Sequence, residues 1–167
     1  MKIIAFTGYK KSGKDAAATA LKQLLLPAKV RQINFADALK QEVAAACGVT
    51  VTYINEHKDD YRSMLQVWGT DFRRKLHGNA YWVLKWLEAV NKLPTPPDYL
   101  LCTDVRFINE AAVVRTLGGT IIRIDRPGVF ADGHASETEQ REIHADFIVH
   151  NDKTVEDLKT KLKQMLI

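Results

Sequence analysis

The residues whose types and spacing most clearly indicate a chemical function form a glycine-rich segment, GYKKSGKD at 8–15. This segment directly follows the apolar run KIIAFT. The segment follows the phosphate-binding pattern G-x-x-x-x-G-K-[ST] except at its last position, where Asp15 replaces the usual Ser or Thr. Its two glycines allow backbone angles that point N–H groups at one anion, and a following helix N-terminus adds positive potential. Lys14 can reach the β- and γ-phosphates of a nucleotide. A plain strand-to-helix turn would need none of these features together, so the segment predicts a nucleotide-phosphate site.

Asp15 has two interpretations that the sequence leaves nearly balanced. A carboxylate can bind Mg²⁺ directly or through water, in place of the missing hydroxyl. It can also do no more than favour the positive end of the helix that follows. Lys10 and Lys11 face a similar choice between solvated loop charges and contact with a transferred phosphoryl group, and the neighbouring phosphate site favours contact for one of them.

A second pair of candidates follows the apolar segment YLLCT at 99–103. Asp104 comes directly after this predicted strand, and an acid at the carboxyl end of a strand beside the glycine loop can hold Mg²⁺ or its waters. Arg106 is placed to bind a phosphate with two parallel hydrogen bonds. The alternatives are that Asp104 caps the next helix and that Arg106 pairs with Glu110 one turn later.

Alternating strand and helix patterns are expected to position these residues, which indicates an α/β fold with a parallel sheet. The predicted strands are 2–7, 30–35, 99–103, 120–124 and 146–149. The predicted helices are 14–25, 36–47 ending at Gly48, an amphipathic helix over 59–77, a helix capped by Asn79, 106–117, and a last helix capped by Thr154 with Asp157. We therefore expect one domain over 1–167.

Composition limits the class of protein. The chain has 167 residues, 46% apolar and 26% charged, with a net charge of +4, as expected for one globular domain. The sequence contains no membrane-length apolar stretch, and its start turns charged too early for a secretory signal. Cys47 and Cys102 are predicted to be buried, reduced thiols, and a cytoplasmic location is expected. A small phosphorylated substrate is favoured over stable nucleic-acid binding, because dense basic runs are absent from the sequence.

The helix predicted over 59–77 carries polar residues beside its apolar stripe. Arg62, Gln66 and Thr70 fall on one helical face and could converge on a ligand, or they could be the solvated flank of an amphipathic helix. From the residues alone the solvated flank is favoured. In the next helix, Trp86 is predicted to be a core residue. Tyr81 and Trp82 are left open between the core and stacking on a base.

Longer segments resemble one family. SMLQVWGTDFRRKLHGNAYWVLKW at 63–86, YLLCTDVRFINEAAVVRTLGGTIIRIDRPG at 99–128, HASETE at 134–139 and ADFIVHND at 145–152 are similar, in order, to the phage-type deoxynucleoside monophosphate kinases, a branch of the P-loop kinases. The loop ending in GKD is also shared with phosphomevalonate kinase, so it does not identify the family alone. The region between 48 and 60 is much shorter than in long members of the family.

The resemblance implies a P-loop three-layer fold and transfer of the ATP γ-phosphate to a dNMP, with ATP and Mg²⁺ bound. It implies an ATP site made of Gly8, Lys10, Lys11, Ser12, Gly13, Lys14, Asp15, Ala16 and Asn151. It implies a helical acceptor region over about 36–93, with substrate contacts from Lys40, Arg62, Gln66, Thr70, Asp71, Trp82 and Arg106. The catalytic set is Lys14, Asp15, Arg106 and Arg126, and the metal ligands are Asp15 and Asp104. For Lys40, a solvated helix position remains an equal alternative.

The polar segment 126–141 is similar to a lid that closes over ATP, with Arg126 and Arg141 as candidates for contact with the transferred phosphoryl group. The partners implied are ATP and a dNMP, in the host cytoplasm if the chain is phage-encoded, and a homodimer is left open. The alternatives are a P-loop kinase for phosphomevalonate or dephospho-coenzyme A, and a nucleotide-binding module without catalysis. The base preference does not follow from the sequence.

Overall fold

A computed structural model of the chain describes residues 1–130 and 139–165. The chain divides into two compact units, Met1–Asn34 with Pro94–Ile167, and Phe35–Leu93. Within the described residues, no helix combines the length and the apolar character needed to cross a bilayer. The helices are α1 (Lys14–Leu24), α2 (Ala36–Cys47), α3 (Val51–Glu56), α4 (Arg62–Gln66), α5 (Lys75–His77), α6 (Tyr81–Asn91), α7 (Ile108–Thr116) and α8 (Val155–Met165).

The first unit is built on a five-stranded sheet in the order β2-β3-β1-β4-β5, and every pairing is parallel. The strands are β1 (Lys2–Thr7), β2 (Val30–Gln32), β3 (Tyr99–Cys102), β4 (Thr120–Asp125) and β5 (Phe147–His150). This confirms the predicted parallel sheet. Strand β2 ends at Gln32, three residues earlier than expected.

Both faces of this sheet are covered, which explains why the central strands are almost continuously apolar. Successive side chains of a strand point to opposite faces. On one face, Phe6 and Ile124 pack with Leu21 of α1 and Leu158 of α8. On the other face, α7 lies against the sheet close to Ile3, so Gly119 has no room for a side chain beside Val114. Helix, sheet and helix form the three layers predicted for the fold.

The strand order places two loops side by side. Strands β1 and β3 are direct neighbours, and the chain leaves β1 towards β2 but leaves β3 towards β4 on the other side. A parallel sheet opens a crevice at the carboxyl ends of its strands where the order reverses in this way. The segment after β1 is GYKKSGKD, and the segment after β3 begins with Thr103 and Asp104.

The second unit consists of helices and has its own apolar cluster of Val43, Ala44 and Ile54. Trp86 is buried and stacks on Phe35, with ring centroids 4.9 Å apart, so its predicted core position is confirmed. The unit coincides in sequence with the helical region predicted over 36–93. Its role in acceptor binding remains a prediction.

The amphipathic helix expected over 59–77 is not regular. It begins at Arg62, and Val67–Arg74 form a π-helical stretch between α4 and α5. Hydrogen bonds from i to i+5 shift the phase of the side chains relative to an α-helix. Phe72 and Leu76, which an α-helical period would place on the apolar stripe of this helix, are exposed. The single α-helical face assumed for residues 62, 66 and 70 is therefore wrong at its C-terminal end.

A set of polar contacts, here called the Glu42 cluster, joins α2 to the π-helical stretch and to α6. The Glu42 carboxylate accepts hydrogen bonds from Arg73 Nε (2.6 Å), Trp68 Nε1 (3.0 Å) and the Tyr81 hydroxyl (2.5 Å). Partial burial acts to raise the pKa of Glu42, but these three hydrogen bonds together lower it below its ordinary value. The hydrogen bond with the Glu42 carboxylate raises the pKa of Tyr81. Tyr81 is therefore part of a structural cluster within this unit.

Three local predictions are corrected. Ala80, rather than Asn79, directly precedes α6 at its N-terminus. Cys47 is exposed at the end of α2, whereas Cys102 is buried as expected. Helix α3 was not foreseen, because its six residues are too few to show a period; Thr50 caps it by accepting a hydrogen bond from the Tyr53 amide. Thr154 receives the Asp157 N–H as predicted.

Candidate active site

The loop after β1 has the backbone geometry of an anion cradle. Gly8 has φ +138° and Gly13 has φ +104°, and a Cβ at Gly8 would lie 2.3 Å from the Ile124 carbonyl oxygen. A Cβ at Gly13 would lie 2.3 Å from the Asn151 side-chain nitrogen. Both positions therefore favour glycine for conformation, and Gly8 also lacks space for a side chain because the sheet backbone lies against it. Lys11 also adopts a positive φ, 66°, at the tip of the loop.

Lys14 is folded onto the loop that precedes it. Its Nζ donates to the carbonyl oxygens of Gly8 at 2.5 Å and Tyr9 at 2.7 Å. The ammonium group thus lies against the start of the loop. Moving it to a phosphate would exchange these neutral acceptors for charged ones, which make stronger hydrogen bonds.

Asn151 braces the loop from the end of β5. Its side-chain amide donates to the Ser12 carbonyl at 2.8 Å, and its backbone N–H donates to the Asp125 carbonyl at 2.7 Å. The buried Ser12 hydroxyl has no hydrogen-bond partner within the described part of the chain. Because an unpaired buried hydroxyl is costly, it is a suitable group for a bound phosphate to satisfy. The predicted contact of Asn151 with ATP remains a prediction.

Asp15 lies in the first turn of α1 and is exposed. Its Oδ1 accepts a hydrogen bond from the Thr103 hydroxyl at 3.1 Å, across 88 positions of sequence. Thr103 is buried and directly follows β3, so this contact joins the phosphate loop to the end of the neighbouring strand. Asn34, after β2, accepts the Thr103 N–H at 2.9 Å.

Asp104 is half-buried beside this contact and does not cap α7. Phe107 is the residue that precedes α7, and the buried Glu110 accepts the N–H groups of Arg106 at 2.9 Å and Phe107 at 3.2 Å. Capping by Asp104, the alternative weighed from the sequence, is therefore wrong. Burial, followed by the charge of Asp104, raises the pKa of the Cys102 thiol well above its ordinary value. That thiol donates to Asp104 Oδ1 at 3.3 Å.

The oxygen donors here suit Mg²⁺. The ion prefers carboxylate, hydroxyl, phosphate and water oxygens, and proteins usually hold it through one or two carboxylates plus substrate phosphates. Asp15 and Asp104 supply two carboxylates at the ends of neighbouring elements. Groups of three or more His, Cys, Asp or Glu able to hold a metal do not occur in the described ranges. A magnesium site completed by nucleotide phosphates needs no such group.

The end of the predicted lid segment is attached to the phosphate loop. Gln140 is buried, and its side-chain nitrogen donates to the carbonyl oxygens of Gly8 at 3.0 Å and Val105 at 3.2 Å. Arg141 Nε donates to the Tyr9 hydroxyl at 2.5 Å. Arg126 Nη1 lies 3.4 Å from the Lys11 carbonyl. Residues 131–138 of the predicted lid lie outside the described residues.

The second unit holds the remaining predicted substrate residues. Those that are partly buried on its helices are Lys40, Arg62, Gln66 and Thr70. Asp71 is exposed and pairs with Lys75 at 2.8 Å. Trp82 is only 3% exposed, and its Nε1 donates to the Gly69 carbonyl at 2.9 Å. This burial favours the core alternative for Trp82, so it is not carried into the proposed site.

Sequence reasoning missed the residues that connect the site's segments. Thr103, Asn34 and Gln140 act across 69 to 132 positions, where no local pattern signals them. One signal was available for Thr103. Position 15 lacks the usual Ser or Thr hydroxyl, and Thr103 supplies a hydroxyl immediately before Asp104.

Comparison with known proteins agrees with this geometry. The model of the family described as deoxynucleotide monophosphate kinase matches residues 29–162. The chain belongs to that family. A protein of Acanthamoeba polyphaga mimivirus, provisionally named for the same family, is 34% identical over 97% of this chain and 94% of its own length.

Two phage members of the deoxynucleotide monophosphate kinase family are also similar. The enzymes of Escherichia phage RB69 and Enterobacteria phage T4 are 31% and 32% identical over 68% of this chain. The chain spans about half, 48%, of the length of these two relatives.

Solved structures confirm the fold expected for the family. Shikimate kinase from Aquifex aeolicus covers 98% of this chain and 95% of its own, with a TM-score of 0.52 and 17% identity. TT1252 from Thermus thermophilus covers 99% and 96%, with a TM-score of 0.53 and 18% identity. At these identities the likeness concerns the fold, which is the P-loop kinase architecture predicted from the sequence.

Proposed function

We propose that this chain transfers the γ-phosphate of ATP to a deoxynucleoside monophosphate, giving a dNDP for DNA precursor synthesis. The observation that carries the proposal is the phosphate loop, with Lys14 folded into it, at the carboxyl end of β1 in a member of the deoxynucleotide monophosphate kinase family. The names of the phage relatives support the dNMP as acceptor.

Phosphoryl transfer requires positioning and charge stabilisation more than covalent help from the protein. In this proposal the N–H groups of residues 8–16 and the Lys14 ammonium hold the ATP phosphates. Arg106 and Arg126 stabilise charge on the transferred group. Mg²⁺ would be held by Asp15 and Asp104, and when bound it neutralises charge on the phosphate oxygens.

The second unit is proposed to bind the acceptor. Arg62 and Lys40 are cations that can bind the acceptor phosphate, and the Gln66 amide can both donate to and accept from a base edge. Thr70 and Asp71 remain candidates for contacts with the sugar or base. The proposed partners are thus small nucleotides in the cytoplasm.

The test is ADP release from Mg·ATP with dAMP, dCMP, dGMP and dTMP offered separately. Ribonucleoside monophosphates, phosphomevalonate and dephospho-coenzyme A serve as alternative acceptors. Turnover with at least one dNMP is expected. We expect Lys14→Ala to lower kcat by about 10²–10³-fold, as removal of a charge-stabilising donor does.

Lys163→Ala, in the exposed last turn of α8, is the matched control and should keep full activity. Turnover at the wild-type rate in Lys14→Ala would indicate a contaminating kinase. Absence of turnover with every dNMP, together with measurable ATP binding, would contradict the proposed acceptor. Turnover with another acceptor would then identify the alternative.

A further inference from the structure

The carboxylate that replaces the usual hydroxyl of the phosphate loop has a hydroxyl beside it from another strand. Phosphate loops of this type ordinarily hold Mg²⁺ through a Ser or Thr, together with an acid on a neighbouring strand. Here the loop carries Asp15, and the hydroxyl belongs to Thr103 at the end of β3, 3.1 Å from Asp15 Oδ1. A carboxylate and a hydroxyl are therefore both present, but the loop supplies the carboxylate and the residue after β3 supplies the hydroxyl.

The hydrogen bonds around Thr103 indicate where its proton goes. Thr103 Oγ1 lies 3.1 Å from Asp15 Oδ1 and 3.2 Å from Asn34 Oδ1, and one hydroxyl proton serves only one acceptor at a time. Asn34 Oδ1 already accepts the Thr103 N–H, and Gln32 Nε2 donates to the Thr103 hydroxyl at 3.4 Å. Asp15 is the closer acceptor and the charged one, so it receives the stronger hydrogen bond.

The two partners differ in freedom. Thr103 is 4% exposed, and its backbone and hydroxyl are held by Gln32, the last residue of β2, and by Asn34 just after it. Asp15 is exposed on the first turn of α1. A fixed donor against an exposed carboxylate restricts the carboxylate's rotamers. It leaves most of the lone pairs of that carboxylate available.

We propose that Thr103 is a positioning residue that orients the Asp15 carboxylate towards the Mg²⁺ of a bound nucleotide. The inference rests on the metal–nucleotide binding in the proposed function, but not on the identity of the acceptor. Partners that orient a metal ligand typically change metal affinity by about 10–100-fold when they are removed. We expect the lower end of this range, because Asp15 is exposed and one hydrogen bond is involved.

The experiment measures metal binding directly. Mn²⁺ binding to the protein–ADP complex is followed by electron paramagnetic resonance, and ADP binding in EDTA is followed by calorimetry. Thr103→Val removes the hydroxyl at constant shape, and we expect it to weaken Mn²⁺ binding about 10-fold while ADP binding in EDTA stays unchanged. Thr103→Ser should restore the metal affinity. Thr103→Ala repeats the deletion in case the valine variant folds poorly.

Two comparisons isolate the route through Asp15. Thr19→Val is the matched control, because the Thr19 hydroxyl also contacts residue 15 but through its backbone carbonyl, at 2.9 Å. It should leave Mn²⁺ affinity unchanged. In an Asp15→Asn background, Thr103→Val should have little further effect, since contacting residues that act as one unit are non-additive.

Equal Mn²⁺ affinity in the wild type and Thr103→Val would overturn the inference. So would a loss in Thr103→Val that is fully additive with Asp15→Asn. A wild-type chain that binds Mn·ADP but phosphorylates no dNMP would overturn the proposed acceptor and leave this measurement decisive. A wild-type chain that binds no metal with ADP would overturn the metal–nucleotide binding on which the proposed function and this inference both rest.

Discussion

Two acidic side chains, Asp15 in the first unit and Glu42 in the second, are held in opposite ways. The Glu42 carboxylate accepts from Arg73, Trp68 and Tyr81, and its side chain is 21% exposed. Asp15 is exposed, and a single hydroxyl, that of Thr103, donates to it among the hydrogen bonds seen in the described residues. A carboxylate has about four acceptor sites. Glu42 has committed most of them to the fold, whereas Asp15 keeps most of them for a ligand.

The same difference extends to the surroundings. In the Glu42 cluster, side chains satisfy one another within a helical unit. At the phosphate loop, the side chains of Asn151 and Gln140 donate hydrogen bonds to backbone carbonyls of the loop itself. Changes at the loop should therefore reduce activity first, and changes in the cluster should reduce stability first.

The largest expected effect is at Gly8, where a side chain would change both the shape of the phosphate loop and its activity. Gly8→Ala places a Cβ 2.3 Å from the Ile124 carbonyl oxygen, which belongs to the sheet backbone and cannot move freely. A displacement of the loop near 1 Å can cost about 10²-fold in rate, so we expect at least that loss in kcat/KM. The strain should also lower the free energy of unfolding by about 1–3 kcal/mol.

Gly118→Ala is the control for Gly8→Ala. Gly118 also has a positive φ, +73°, but nothing lies within 4 Å of the added Cβ. It should cost about 1–2 kcal/mol of stability through backbone strain alone and leave kcat/KM unchanged. Steady-state kinetics and urea unfolding distinguish the two variants. Similar activities in both would show that the loop tolerates displacement.

A smaller effect is expected at Gln140, which links the loop to the segment after β3. Its amide donates to the carbonyls of Gly8 and Val105, and Gly8 is also the acceptor that Lys14 must leave when it moves to a phosphate. Gln140→Leu removes the donor that would still be hydrogen-bonded to the Gly8 carbonyl after Lys14 has moved to the phosphate. A lost hydrogen bond to a buried group costs about 1–3 kcal/mol, so we expect ATP to bind about tenfold more weakly.

Calorimetric titration of ATP into Gln140→Leu tests this expectation. Gln164→Leu, at an exposed position of α8, provides the matched control and should bind ATP like the wild type. If Gln140→Leu keeps its ATP affinity and loses only stability, then Gln140 belongs with Glu42 on the structural side of the comparison.

The sequence predicted the sheet and the phosphate loop well because both depend on local patterns. A buried parallel strand is an apolar run, and the loop's glycines and Lys14 occur within eight residues. The π-helical stretch at Val67–Arg74 was missed because its side chains fit an α-helical period almost as well. Trp82 was open between ligand and core, and its burial together with the hydrogen bond from its Nε1 to the Gly69 carbonyl favours the core.

The connections within the site could not be predicted for a different reason. Thr103 and Gln140 are ordinary polar residues whose partners are brought near by the strand order, not by spacing. Their importance follows only when β1 and β3 are known to be neighbours. In contrast, Asp104 and Arg106 could be proposed from the strand end alone, although the capping role considered for Asp104 was wrong.

The smallest expected effect is at Glu42, and it should appear in stability rather than turnover. Glu42→Gln keeps the size of the side chain but removes the charge that accepts from Arg73, Trp68 and Tyr81. We expect the free energy of unfolding at pH 7 to fall by about 1 kcal/mol. Glu88→Gln is the matched control, because Glu88 is an exposed glutamate paired only on the surface with Lys92 and Lys85, and should change it by less than about 0.5 kcal/mol.

The pH dependence of that difference identifies its cause. Hydrogen bonds lower the pKa of Glu42 in the folded protein below the ordinary value of 4.5, despite the opposing effect of burial. The unfolded chain therefore takes up a proton first as pH falls, so the stabilisation is fully present above pH 4.5 and is lost as pH falls through the folded pKa. Urea unfolding of the wild type and Glu42→Gln from pH 7 to pH 3 should show a gap that narrows only below about pH 4.5. A gap that stays constant to pH 3 would mean that packing, not the charge of Glu42, stabilises this cluster.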